Sequence, residues 1–334
     1  MRIVFRHYSR PSRDDLARLW SAALFSFDAS VLLNLYGYTD KTREALVHLA
    51  EDYAERLRLP YQFGLEYVRN RRNVIQKQIS KYKNVEDRLE EIRKEILSTR
   101  DHPYLSDGGM SAYEGIQQEL NSSRSAIANL LESDPHEEKI LRLFEERVGR
   151  CPSAEELSRM EAAAQQRYDK KIPPGYMDLK EKGPTGAFGD YIGWRQLMDI
   201  AKAEGRGFIF VVDDLKQDWW WDLERTLPRP ELLTEFLSET QHEMYMYTSE
   251  NFLRAAREFG AAEIADDAIE EVRQLLENLR AKDLKPSVAE EQKPATPATT
   301  EKPLSPAVLE KPSVAEPGFD QNDPESEESS EKQR

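Results

Sequence analysis

Hydrophobic and polar positions along the first 284 residues fall into two patterns: helical stripes, and short apolar runs that end in acids. Residues 13–23 place Leu16, Leu19, Trp20 and Ala23 on one helical face. Leu24-Phe25-Ser26-Phe27 follows as a continuous apolar run ending in Asp28, the pattern of a strand buried on both faces. Val31–Tyr36 and Thr39–Leu57 read as helices, Leu57–Tyr61 as a second strand, and Phe63–Ser98 as one long, densely charged helix. Further helical pieces fill residues 99–175, broken at Pro103, Gly108-Gly109, Pro135, Pro152 and Pro173-Pro174. A helix over Asp190–Ala203 leads to Phe208–Val212, the clearest buried strand, which ends in Asp213-Asp214. Glu243–Thr248 alternates as a last strand, and residues 249–281 are helical. Strands separated by helices predict an α/β fold with a mainly parallel sheet.

Composition narrows the folded part. Residues 285–334 hold eight prolines, eleven acidic and six basic residues and little large apolar side chain, which predicts disorder. Within them Lys285-Pro286-Ser287-Val288-Ala289-Glu290 recurs as Lys311-Pro312-Ser313-Val314-Ala315-Glu316, read as duplication within a spacer or as a docking motif. The predicted division is 1–76 and 176–284 as two parts of one α/β domain, 77–175 as a helical or coiled-coil insertion, and 285–334 as tail.

Several functional classes drop out. Cys151 is the single cysteine, which excludes a disulfide framework and a thiolate zinc cluster. His7, His48, His102, His136 and His242 are scattered, with no pair at helical ligand spacing. No apolar run is long enough to span a bilayer, and Leu16–Phe27 reads as a helix and strand rather than a leader. The expectation is a soluble cytoplasmic protein without a membrane partner. Its net charge of −15 argues against indiscriminate nucleic-acid binding, but not against a local basic surface.

The acids carry the candidate chemistry. Asp28 and Asp213/Asp214 end apolar runs, where parallel sheets gather their sites; Glu66 and Asp190 stand at helix starts. Carboxylates converging in one crevice repel one another and call for protons or a divalent cation. An all-oxygen set favours Mg²⁺ or Mn²⁺ over Zn²⁺, and such ions activate water for phosphodiester hydrolysis. Plainer readings stand beside this one. Asp28 and Asp190 serve as helix caps, Glu66 as a solvated charge, and Asp213/Asp214 as part of a turn. Glu66–Lys83 carries Arg69, Arg71, Arg72, Lys77, Lys81 and Lys83, either a phosphate-binding face or partners for the acids of Glu86–Glu95. Trp219, Trp220 and Trp221 read as base-stacking residues or, for at least two of them, core. Gly183, Gly186 and Gly189 fit no nucleotide-binding pattern and read as a loop that moves on substrate entry.

The run Phe27-Asp28-Ala29-Ser30-Val31-Leu32-Leu33-Asn34-Leu35-Tyr36 resembles the opening motif of PIN-like nuclease domains, and most closely the bacterial family with a long helical insertion. Leu59–Gln62 with Glu66–Arg71, Ile172–Tyr176, Gly189–Trp194, and Val211–Asp214 with Asp218–Trp220 match it in order. Arg229–Leu232 and Tyr245–Thr248 are similar as well, so the resemblance spans roughly residues 24–260. It implies a PIN-like, Rossmann-like sheet flanked by helices. It also implies a metal-dependent endonuclease, most often a ribonuclease, with Asp28, Glu66, Asp190 and Asp214 as catalytic acids. With Asp213 as neighbour or substitute, these would hold one or two Mg²⁺ or Mn²⁺ ions around an activated water. Ser30, Asn34 and Asn70 would support them, and Arg69, Arg72, Lys77 and Lys81 would bind nucleic acid. The family context adds bacterial defence or stress response. The insertion would recognise RNA, a protein partner or a second copy of the chain. Two departures stand out: Ala29 and Val212 replace threonines common in the family, removing hydroxyls beside the acids. Two alternatives remain: a weak or inactive scaffold acting through its insertion, and a haloacid-dehalogenase-type phosphatase, against which Ser30 stands where a second acid is usual.

Overall fold

The computed structural model describes residues 1, 5–97, 105–179, 186–260 and 263–283, all within one compact unit, Met1–Pro286. The predicted tail, its repeat and Gly183 lie outside the described residues.

Three strands form a fully parallel sheet in the order β1 (Leu24–Phe27), β2 (Phe208–Val211), β3 (Met244–Tyr247). Leu24 pairs with Phe208 and Phe208 with Met244, so all three strands end level, at Phe27, Val211 and Tyr247. Every strand residue is buried, as expected of a parallel sheet covered on both faces. Because side chains alternate, Phe25 and Phe27 meet Trp20 and Phe252 on one face. On the other, Phe210 stacks on Phe63 at 5.5 Å and meets Trp219, while Phe208 meets Phe236.

Helices supply those covers. On one side lie α1 (Arg13–Ala22), closed by a Ser12/Asp15 capping box, and α10 (Ser249–Phe259). On the other lie α4 (Tyr61–Ile96), α8 (Gly189–Glu204) and α9 (Pro230–Thr240). The short α2 (Ala29–Asn34) leaves β1 directly. Next come α3 (Asp40–Asp52) and a 3-10 turn at Ala54–Arg56, where the sequence suggested one helix to Leu57. The predicted strand at Leu57–Tyr61 is not formed. Leu57 and Leu59 make only single parallel bridges, to Phe25 and Val148, because Pro60 lacks a donor and α4 begins at Tyr61. The final helical stretch is two helices, α10 and α11 (Asp266–Asp283).

The middle region is helical: α5 (Asp107–Asn129), α6 (Pro135–Phe144) and α7 (Ala154–Asp169). Arg124 pairs with Glu86 at 2.9 Å and the Tyr113 hydroxyl reaches Leu89, while Arg72 reaches the Leu131 carbonyl beyond α5. Higher numbers on one side thus meet lower ones on the other, and α4 and α5 form an antiparallel hairpin. At its root Arg71 is buried against Asp134 (2.5 Å) and Glu137 (2.9 Å). Asp134 also accepts from Tyr36 at 2.6 Å and caps α6 through the amides of His136 and Glu137.

Candidate metal centre at the carboxyl edge of the sheet

Level strand ends put the residues that follow them side by side. Asp28 follows β1, is buried, and caps α2 by accepting from the Ser30 amide at 3.0 Å. Capping and clustering are therefore not alternatives here: one carboxylate oxygen is used locally, and the group still faces other acids. Burial, then the Glu66 charge, push Asp28 up to about 7, and Asp214 adds to the rise.

Glu66 comes from the second turn of α4, where Gln62 Nε2 donates to it at 2.7 Å. It lies against the start of α8. A Cβ at Gly189 would stand 2.0 Å from Glu66 Oε1, so this position admits no side chain while Glu66 keeps its place. Asp190, the next residue, is buried and accepts from the Trp219 indole at 3.3 Å. Burial and the charges of Asp214 and Asp178 push its carboxyl well above the ordinary range. Gly175, at φ +89°, is equally constrained: a Cβ there would meet the Tyr168 hydroxyl at 2.2 Å and Asp190 Cβ at 2.8 Å.

The Asp213-Asp214 pair splits its work. Asp213 is buried and held by Asn34 (3.0 Å), the Ser249 amide (2.8 Å) and the Ser249 hydroxyl (2.8 Å), while its own amide donates to Ser30. It ties the ends of all three strands together, with Ser30 and Asn34 as its partners. Hydroxyls absent at Ala29 and Val212 are thus present beside this acid at Ser30 and Ser249. Asp214 instead joins Asp178 and Asp190, with one carboxylate oxygen of each within 4.8 Å of the others. Lys216 bridges two of them, 2.5 Å from Asp214 and 2.6 Å from Asp178. Burial opposes its charge, but Asp214, Asp190 and Asp178 together hold it protonated.

Sequence reasoning passed over Asp178 and Lys216. Asp178 closely follows the Ile172–Tyr176 segment, but nothing local separates it from a surface turn acid. The structure buries it by pinning that turn: the amides of Gly175 and Met177 donate to Asp218 at 2.9 and 3.1 Å. Burial pushes Asp218 up to about 6. Trp219 and Trp220 are core residues whose indoles donate to Asp190 and to the Asp214 carbonyl; Trp221 is exposed.

Of the basic residues, Arg69, Arg72, Lys77 and Lys81 are exposed on α4, as is Asn70. At 3.6 residues per turn, Asn70, Lys77 and Lys81 follow the face that carries Glu66, with Arg69 beside it. Arg72 points away, to the Leu131 carbonyl at 2.9 Å.

The donor set fits a hard divalent cation: carboxylate oxygens only, from the buried Asp178 and Asp190 and the part-buried Asp214, in excess of the Lys216 ammonium among them. Among the described residues no helix is long and apolar enough to cross a membrane. No curated protein and no solved structure matches the chain. A family model, PIN like domain, matches residues 24–232, a span containing all of these acids and the helical hairpin. The chain belongs to the PIN-like domain family, a nuclease superfamily.

Proposed function

We propose that this chain is a cytoplasmic, metal-dependent endonuclease that hydrolyses phosphodiester bonds of RNA. The observation that carries the reading is the convergence of Asp178, Asp190 and Asp214 from separate segments at the carboxyl edge of the sheet, with Asp28 and Glu66 close enough to repel one another beside them. Buried carboxylates in such excess cost stability unless a cation or a proton offsets them, so their retention argues for a task. Asp28, Glu66, Asp190 and Asp214 would hold Mg²⁺ or Mn²⁺, with Asp178 as a further acid and Asp213 as the support beneath them. Held by these acids, a divalent ion would supply a water of lowered pKa and would offset charge on the phosphate.

The chain's own residues do the positioning. The Ser30 amide, Gln62 and the Trp219 indole each fix one carboxylate through a hydrogen bond. Trp219, fully buried between Asp190 and Phe210, keeps water from the inner side of the cluster. Asn70, Lys77 and Lys81, with Arg69, extend from Glu66 along α4 and would take successive phosphates, whereas Arg72 contributes less. RNA rather than DNA rests on the family motifs. The predicted boundaries 1–76, 77–175, 176–284 and 285–334 belong to this proposal. So does contact with a partner or second copy through the hairpin, where Val85, Ile92 and Ile116 are exposed.

The test is cleavage of end-labelled single-stranded RNA, structured RNA and matching DNA under Mg²⁺, Mn²⁺ or EDTA, with the product ends identified. Cation-dependent internal cuts in RNA leaving 5′-phosphates are expected. Silence on every substrate, with no metal-induced thermal shift, would replace this reading by an inactive scaffold. An aspartyl-phosphate trapped on Asp28 would replace it by a phosphatase.

A further inference from the structure

The loop after β2 does more than present Asp214. Its carboxylate accepts from the Lys216 amide at 3.0 Å and from Lys216 Nζ at 2.5 Å, so one residue holds both of its oxygens. The same ammonium reaches Asp178 at 2.6 Å. Its backbone is fixed as well. The amides of Trp219 and Trp220 donate to the Lys216 carbonyl, and the Trp220 indole donates to that of Asp214. Asp218, in the same loop, pins the turn that carries Asp178. Lysine, tether and both acids thus form one packed unit.

Two-ion hydrolases need their cations about 3.5–4 Å apart with carboxylates between them. Here three carboxylate oxygens, from Asp178, Asp190 and Asp214, lie within 4.8 Å of one another, and an ammonium stands between two of those acids. We propose that Lys216 is a resident cation filling one of the two cation positions, so that this site takes a single divalent ion. The inference rests on the metal-centre reading above and specifies it. Lys216 is a positioning residue: it holds Asp178 and Asp214 in place, and it keeps a second ion out by being covalently tethered where that ion would bind. A tethered ammonium needs no free cation, so its one positive charge is present at any metal concentration.

The test is Mn²⁺ stoichiometry on the full chain, by calorimetric titration and by electron paramagnetic resonance. Wild type is expected to bind one ion with the six-line spectrum of an isolated Mn²⁺. Lys216→Met is expected to bind two, with a spectrum broadened by coupling between them, and Lys216→Arg is expected to bind one. Two coupled ions on the wild type overturn the inference alone, and this measurement stands even if Lys216→Met does not fold. A folded Lys216→Met that binds one ion also overturns it. No ion on any of the proteins overturns the metal-centre reading itself.

Discussion

Two regions among the described residues bury charge and treat it in opposite ways. At the root of the helical hairpin, Arg71 faces Asp134 and Glu137, and Asp134 takes further donors from Tyr36 and two backbone amides. Burial alone would raise the Asp134 carboxyl, yet those donors and Arg71 hold it below its ordinary value. At the carboxyl edge of the sheet, Asp178, Asp190 and Asp214 share the single charge of Lys216, and burial with mutual repulsion pushes Asp28 and Asp190 up. The first region closes its own electrostatics and so fixes architecture. The second leaves a surplus that a proton or a bound cation must answer.

The largest expected effect breaks the second region. Asp28→Asn with Asp190→Asn should lower cleavage on the order of 10³-fold. In EDTA its thermal midpoint should equal or exceed that of wild type, because surplus charge has been removed. Arg71→Met breaks the first region in the opposite sense. It strands Asp134 and should cost about 3–5 kcal/mol in urea unfolding, with cleavage per folded molecule little changed. Gly189→Ala sharpens the contrast within the site. The added methyl displaces Glu66, and cleavage should fall about 10²-fold while α8 remains formed, as read by circular dichroism.

The pH dependence follows from the shifts. Asp28, with a folded-state value of about 7, binds its proton more tightly folded than unfolded. Its contribution is therefore favourable at low pH and is lost as pH rises from about 4 towards 7. Asp190 and Asp218 act in the same direction. The metal-free protein should melt at a higher temperature at pH 5.5 than at pH 8, and Mn²⁺ should shrink or invert the difference. Asp134, held low, keeps its contribution throughout that window. The smallest effect belongs to the exposed face of α4. Lys77→Glu and Lys81→Glu should each weaken RNA binding and lower the salt slope by about one, whereas Arg72→Glu should change it less.

Much of the fold was readable from the chain. The runs before Asp28 and Asp213 are strands because they are apolar on both faces, and Trp219 and Trp220 are core, as their setting after β2 suggested. The run at Leu57–Tyr61 misled: β-like side chains there meet only single bridge partners, a matter of tertiary distance invisible in the residues. Acids at strand ends and helix starts could be read as candidates. Their division of labour could not, because Asp213 and Asp214 differ only in what lies across from them. Arg71 looks like its exposed neighbours Arg69 and Arg72, and only the fold of residues 130–137 makes it a buried clamp. Asp178 and Lys216 enter the cluster through the Asp218-pinned turn, a contact across roughly forty residues that no local pattern announces.

A bound cation at the surplus acids would unite the cluster, its raised carboxyls and its lysine. Anomalous diffraction from crystals grown with Mn²⁺ tests it most directly. A peak about 2.0–2.5 Å from carboxylate oxygens of the cluster, Asp190 among them, is predicted, absent when Asp28 and Asp190 are both Asn. Crystals saturated with Mn²⁺ that show no peak at the carboxyl edge of the sheet would contradict it.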